Sequence, residues 1–333
     1  MSGEEKILRW AVVGTGWVSG DFMVPALMQC PGSRLVACLG SSAQKSQAFA
    51  ERFNVAHAHG TLDALLADDD VDALYVATPN ALHREAVVAA ARAGKHVLCE
   101  KPVAMSVTDA RAMTQACEDA GVTLRVAHQM RLEAVLGRAR EIVRSGRLGR
   151  IAAVSLERAS ANPPRTTWRR EFAQSGVVFD VGVHLLDQVQ WISGQRFAEV
   201  AAFTSPDRAA GEPDNQITVL GRLDGGGHVT MRATREVASA ENNLIVEGSE
   251  ATLITSALRF VPEHTLKVRD KSGAVEERFP ASPAYAWEVR AFEQDVQGKR
   301  SVLPDGAEGT QLVAVTRAVL DAVEQRRTVT VGS

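Results

Sequence analysis

The chain has 333 residues, 45% of them apolar and 23% charged; that is too long for one typical domain, and two well-filled domains are expected rather than disorder. Its 37 basic and 40 acidic residues leave a net charge of −3, with no basic field of the kind nucleic acid requires. The first eight residues, MSGEEKIL, hold neither a basic nor an apolar leader region, and no apolar run reaches the length of a membrane span, so a cytoplasmic protein with no membrane partner is expected.

Up to about residue 150, short apolar runs alternate with Ala-rich helical patterns: Leu8 to Val13, Leu35 to Leu39, Ala73 to Ala77, Val97 to Cys99 and Leu124 to Ala127. Continuous apolar runs suit strands buried on both faces, and helices between them suit right-handed crossovers. The expectation is a doubly wound parallel sheet of the Rossmann kind over residues 1–125. Beyond it, strand-like segments follow one another at Ala152 to Arg158, Glu199 to Thr204, Ile217 to Leu223, His228 to Ala233, Leu244 to Glu247 and Leu266 to Val268. Gly and Asp clusters separate them, as in an open, mostly antiparallel sheet. With helices near Val177 to Ile192, Ala284 to Val296 and Gly309 to Gln325, residues 126–333 read as an α+β catalytic and oligomerisation domain. Its last helix is a candidate to pack back on the first domain. Cys30, Cys38, Cys99 and Cys117 show no C-x-x-C pair and no histidine at zinc spacing, so reduced core thiols are expected, with neither a disulfide framework nor a metal site.

Gly14-Thr15-Gly16-Trp17-Val18 stands where the first strand should end and a helix begin. Two glycines let the backbone turn sharply and approach a diphosphate, whose charge would rest on the helix N-terminus. The third fingerprint position is Ser19, with Gly20 one step late. At the end of the second strand an NAD-selective domain places a carboxylate for the ribose 2′-hydroxyl. Here no acidic residue occurs between Asp21 and Glu51, and the strand runs into Gly40-Ser41-Ser42-Ala43-Gln44-Lys45. Small hydroxyls and a cation suit a 2′-phosphate, which favours NADP(H) and leaves NAD(H) open. Ser41 and Ser42 could equally cap the helix that follows.

Thr78-Pro79-Asn80 ends another buried strand at the edge where open α/β sheets bind ligands. These residues either contact the cofactor or cap the next helix, and His83 reads as a cofactor contact or as a surface or capping histidine. Glu100-Lys101-Pro102 delivers a second polar group to the same edge, as a solvated turn or as catalytic machinery in which Pro102 fixes the direction of Lys101. Further on, Asp180, His184 and Asp187 fall at helical spacing on a segment otherwise rich in Val and Leu. That is either a buried histidine satisfied by one carboxylate or an imidazole tuned for acid–base chemistry on an alcohol or carbonyl.

In this order, Gly14-Thr15-Gly16, Thr78-Pro79-Asn80 with His83, Glu100-Lys101-Pro102 and Asp180-x-Gly182-x-His184 resemble the glucose–fructose oxidoreductase and inositol dehydrogenase (Gfo/Idh/MocA) family over the whole chain. The resemblance implies a nicotinamide-dependent enzyme acting on a sugar or polyol, assembled as a homo-oligomer, dimer or tetramer, through the second domain's sheet. It implies that Lys101 and His184 contact the reacting oxygen, with Asp180 beside them. It places His128, Gln129 and Arg131 along the nicotinamide and sugar pocket. Pro163-Pro164, Trp168-Arg169, the Ser41 to Lys45 segment and Tyr285 resemble an NADPH-dependent reductase branch of that family, which adds Trp168 and Tyr285 to the cofactor contacts and Trp168 and Arg169 to the sugar contacts. Two rival classes stay open: a non-catalytic dinucleotide-binding sensor, and a glycosidase that uses its nicotinamide transiently.

Overall fold

The computed structural model describes residues 7–159, 176–207, 213–237, 242–256 and 261–332. Pro163, Pro164, Trp168 and Arg169 lie outside the described residues. The chain divides into two compact units, Met1–Gln129 with Pro283–Val313, and Met130–Ser282 with Ala314–Ser333.

The first unit holds β1 (Leu8–Val13), β2 (Ser33–Leu39), β3 (His57–His59), β4 (Ala73–Val76), β5 (His96–Glu100) and β6 (Leu124–Ala127). They form one parallel sheet in the order β3-β2-β1-β4-β5-β6. This is the Rossmann order, whose direction reverses between β1 and β4. Every residue of β4 is buried, as a strand covered on both faces must be. Five helices connect the strands: α1 (Val24–Met28), α2 (Ala43–Phe53), α3 (Leu62–Leu66), α4 (His83–Arg92) and α5 (Val107–Asp119). Ser42, Thr61 and Ser106 accept backbone N–H bonds at the starts of α2, α3 and α5, satisfying donors that helix geometry leaves over.

Ahead of α1, Ser19–Met23 forms one wider π-type turn in which Val24 N–H reaches Ser19 O. Pro25 supplies the reason: lacking an N–H and crowding the carbonyl four residues back, it is accommodated by the wider turn.

Among its described residues the second unit carries α6 (Ala134–Arg144), α7 (Val183–Ser193) and nine strands: β7 (Ile151–Ala159), β8 (Phe197–Ser205), β9 (Gln216–Leu223), β10 (His228–Thr234), β11 (Asn243–Gly248), β12 (Ala251–Ser256), β13 (Glu263–Asp270), β14 (Gly273–Pro280) and β15 (Val329–Thr330). Their order is β14-β13-β12-β11-β7-β10-β9-β8-β15. Every pairing is antiparallel except β7 with β10. Burial alternates along β9 and β10, with Ile217 and Val219 of β9 and Val229, Met231 and Ala233 of β10 turned inward, because among the described residues one face of the sheet meets helices and the other does not. Helix α6 lies against β12 to β14 and α7 against β7.

The chain re-enters the first unit with α8 (Ala284–Val296) and the start of α9 (Gly306–Gln325). Phe292 meets Trp10 with ring centroids 4.9 Å apart, and Asp295 accepts from Arg125 at 2.8 Å. Val126 N–H donates to Pro304 O at 2.9 Å. All four cysteines are free and buried, and among the described residues no helix is long and apolar enough to cross a membrane.

Candidate active site

In the first unit the site begins at the turn after β1. Gly14 has φ +103°, and a Cβ there would stand 2.4 Å from Ala77 O and 2.8 Å from Thr78 N. Only glycine meets both demands, so the turn presses against the end of β4. Its N–H bonds Leu39 O at 2.8 Å, and its carbonyl accepts from Ser19 Oγ at 2.5 Å. The off-pattern third position therefore braces the turn. Gly20 serves helix packing, since a Cβ there would lie 3.2 Å from the Arg52 guanidinium and 3.4 Å from the Phe53 ring. Gly16 differs: its missing side chain faces open space, with nothing within 4 Å, and Gly20 N–H bonds back to its carbonyl. It opens a helix whose first amides lack intrahelical acceptors, the setting that holds a diphosphate.

At the end of β2, Ser42 is the helix cap, accepting Lys45 N–H at 3.3 Å. Ser41 instead accepts from the exposed Lys45 ammonium at 2.9 Å. Thr15 Oγ1 sits against Gly40, 2.9 Å from where a Cβ would be. The hydroxyl, the cation and the glycine turn thus share one end of the sheet.

At the ends of β4 and β5 the polar groups interlock. His83 is fully buried, which corrects the surface or capping alternative. Its Nδ1 lies 3.0 Å from Pro102 O and 3.3 Å from Val103 O, and its Nε2 lies 3.0 Å from Thr78 O. Its single N–H donates to one of these carbonyls, so the ring is wedged between the Thr78-Pro79 strand end and the segment after Lys101, and burial pushes its pKa below the ordinary histidine value. Glu100 is buried too. One carboxylate oxygen accepts from the Tyr75 phenol at 2.7 Å, the other from Lys101 N–H at 3.1 Å. Burial, and then the neighbouring Glu100 carboxylate, push the Tyr75 phenol well above its usual range, so it remains a donor. The Lys101–Pro102 peptide is cis, and the Lys101 side chain is partly exposed.

Tyr285 arrives from α8. Its ring stacks on Phe22 at 5.0 Å, Phe22 meets Trp17 edge-on at 5.2 Å, and Tyr285 Oη accepts from Gln129 Nε2 at 3.4 Å. His128 is fully buried at the end of β6. Nothing in the sequence points to Phe22 or Tyr75, which read as ordinary apolar-run residues.

The residues fit a dinucleotide on two observations. The cradle at Gly14 and Gly16 is one that added Cβ atoms would crowd or fill. In addition, Thr78 Oγ1 and Gln129 Oε1 are buried polar atoms with no hydrogen-bond partner among the described residues, an arrangement that costs free energy unless a ligand or water completes it.

In the second unit, Asp180 lies on a wider π-type turn, Val178–Gly182, that leads into α7. Asp214, far along the chain, caps this segment: its carbonyl accepts Val177 N–H at 3.0 Å and its carboxylate accepts Val178 N–H at 3.0 Å. Arg235, just past β10, donates to Asp180 at 2.5 Å from a position only 6% exposed. Seven residues on, Asp187 pairs with Arg131 through contacts of 2.6 to 3.2 Å. The Arg131 guanidinium also lies 5.7 Å from the centre of the Trp191 ring. His184, on α7 between these two ion pairs, is buried. Arg235 and Asp214 carry no local signal in sequence, because each reaches α7 only through tertiary pairing.

A Rossmann sheet with a glycine turn at its switch point, joined to an α+β unit in which a buried histidine lies between two arginine–carboxylate pairs, has the architecture of an oxidoreductase that binds a nicotinamide dinucleotide. Residues 8–128 match the family model described as an oxidoreductase family with an NAD-binding Rossmann fold, and residues 136–254 match the GFO/IDH/MocA C-terminal domain. The chain is 32% identical to 1,5-anhydro-D-fructose reductase of Ensifer adhaerens over 94% of its length and 96% of that protein. It is 27% identical to D-xylose 1-dehydrogenase (NADP(+)) 2 of Haloferax volcanii, over 95% of this chain and 98% of the other. The aldose–aldose oxidoreductase of Caulobacter crescentus, solved with glycerol, superimposes with a TM-score of 0.87 at 26% identity, covering 98% of this chain and all of that one. The chain belongs to the GFO/IDH/MocA oxidoreductase family.

Proposed function

We propose that the protein transfers hydride between nicotinamide C4 and a carbinol or carbonyl carbon of a sugar or polyol, with NADP(H) as the favoured coenzyme. The observation that carries this is the pairing of the open Gly16 cradle at the switch point with Lys101 on the braced end of β5. The relatives, named as a sugar reductase and an NADP-dependent sugar dehydrogenase, supply the substrate class.

When bound, the nicotinamide supplies the hydride chemistry; alignment and charge come from the chain. Gly14, Thr15, Gly16, Trp17 and Val18 receive the diphosphate, and Ser41 with Lys45 receives the 2′-phosphate. Thr78, His128 and Tyr285 border the nicotinamide. Lys101 holds the substrate oxygen, and His184 exchanges its proton, with Asp180 fixing the imidazole's surroundings through Arg235. Arg131 positions α7 through Asp187. Glu100 and His83 act behind Lys101, holding its main chain.

Phe203 and Leu220 are 72% and 51% exposed on neighbouring strands β8 and β9, where Phe203 faces Thr218 and Ala201 faces Leu220. Diagonal apolar neighbours on one sheet face suit a copy-to-copy contact, in keeping with a cytoplasmic homo-oligomer.

The test is a screen of aldoses, ketosugars, anhydrosugars and polyols with each coenzyme, following nicotinamide absorbance. Net turnover faster with NADP(H) is expected. Cofactor binding with no turnover on any sugar would indicate a sensor. Glycoside cleavage with no net absorbance change would indicate the hydrolytic rival.

A further inference from the structure

We propose that His57, His59 and Asp68 bind one zinc-class divalent transition-metal ion, through His57 Nδ1, His59 Nε2 and a carboxylate oxygen, with water completing the coordination. The site lies on β3, the edge strand of the first sheet, separated from β1 and the glycine turn by β2.

The strand itself makes the first half of the site. Side chains two apart on a strand share a face, so His57 and His59 stand together while Ala58 turns away. The parallel pairing of Ala37 with His57 and Leu39 with His59 holds both at fixed height. Asp68, just past α3, completes the cluster: its Oδ2 lies 2.6 Å from His57 Nδ1 and 2.9 Å from His59 Nε2. The three donor atoms all lie within 4.8 Å of one another. A tetrahedral zinc centre with bonds of about 2.0 to 2.1 Å needs its donors roughly 3.3 Å apart, so the two histidine–carboxylate distances need widen by less than about 1 Å, and the two ring nitrogens, at most 4.8 Å apart, need close by no more than about 1.5 Å.

The surroundings favour a metal over a purely structural ion pair. Both imidazoles aim at a single oxygen, leaving the carboxylate's other oxygen on Asp70 N–H at 2.9 Å. The nearby Lys95 ammonium is tied to main-chain carbonyls of Asp68 and Val71, at 3.0 and 2.7 Å. Asp70's own carboxylate is engaged by Arg9 at 2.8 Å. The cluster is accessible without being loose, with side-chain exposures of 39% for His57, 19% for His59 and 10% for Asp68. Two imidazoles and one carboxylate suit zinc, cobalt or nickel; a magnesium ion would want more oxygen donors than this.

Calorimetric titration of the full chain, stripped of metal, with Zn2+ and Co2+ tests the site. One equivalent at micromolar affinity or tighter is expected, with the visible bands of four-coordinate Co2+. His57→Gln, His59→Gln and Asp68→Asn should each weaken it at least about 10-fold while leaving circular dichroism and NADPH binding unchanged. Carbethoxylation of the unaltered protein, mapped by mass spectrometry, gives a readout free of any folding defect: Zn2+ should protect His57 and His59. Zinc that binds no more tightly than Mg2+, equal affinity in all three variants, or no protection of either histidine would overturn the proposal.

Discussion

Tyr75 donates its phenolic proton to Glu100 across neighbouring strands at 2.7 Å, and the second Glu100 oxygen holds the main-chain N–H of Lys101. The amine proposed to act on substrate is thereby anchored through a buried carboxylate. Tyr75→Phe leaves one oxygen of that carboxylate unsatisfied and should cost roughly 1–3 kcal/mol in urea unfolding. It should also lower kcat more than it raises the coenzyme Kd. A variant as active and as stable as the parent would remove the anchor.

Gly14 and Gly16 should separate fold from function. A Cβ at Gly16 meets nothing within 4 Å, whereas one at Gly14 strikes the main chain of Ala77 and Thr78 at positive φ. Gly16→Ala is therefore expected to unfold within about 0.5 kcal/mol of the parent, as surface substitutions do, while binding NADPH about 10-fold more weakly, since the added methyl occupies the space a diphosphate must approach. Gly14→Ala should lose stability outright. Fluorescence titration and thermal melts of the pair make the check.

Lys101→Ala should reduce kcat by about 100-fold or more, the scale of a lost proton-handling group, with NADPH affinity nearly unchanged. Unchanged turnover would take the amine out of the mechanism. At the other end of the cofactor, Lys45→Glu should weaken NADPH far more than NADH, because a carboxylate replaces the cation that Ser41 holds. Equal losses would discredit the coenzyme preference.

Breaking the Arg131–Asp187 pair should be costly. Both side chains are nearly inaccessible, 6% and 4% exposed, so Asp187→Ala takes the carboxylate partner from a buried guanidinium and should cost about 3–5 kcal/mol. The double variant Arg131→Met with Asp187→Leu should recover much of that stability but not activity, if the pair serves to place α7 and His184. Recovery of both would make the pair dispensable.

Acidification should test His83. Burial holds the imidazoles of both His83 and His264 below the ordinary value of 6.5. On lowering the pH the unfolded chain takes up these protons before the folded one does, so their share of stability is whole above 6.5 and lost as the pH falls through the depressed folded values. The thermal midpoint should drop between about pH 7 and pH 5, and less steeply in His83→Asn. A pH-independent midpoint across that window would contradict the burial of these rings.

The first unit was legible because its signals are local. Leu8 to Val13 and Ala73 to Ala77 are continuous apolar runs, and strands covered on both faces need nothing else. The glycines stand where such a run ends. Strands β3 and β14 escaped notice for a physical reason: His57–His59 has three residues, and Gly273–Pro280 is almost wholly exposed. An edge strand is held by pairing with its neighbour rather than by its own apolar face. Strand β12, Ala251–Ser256, alternates buried and half-buried residues but is split by Thr and Ser, which mimic a turn. Trp168 and Arg169 lie outside the described residues.

Residue order alone determined the glycine turn, the strand-end placement of Thr78 and Lys101, and the helical spacing of His184 and Asp187, since these depend on backbone conformation and short-range periodicity; Asp180 lies instead on the wider turn before α7. Only tertiary structure decided that His83 is buried between Thr78 and Pro102, that Tyr75 anchors Glu100, that Tyr285 stacks on Phe22, and that Asp214 caps the start of the turn before α7 while Arg235 pairs with Asp180 at its middle. A side chain's partner across a sheet or a unit is set by packing, and packing has no period along the chain.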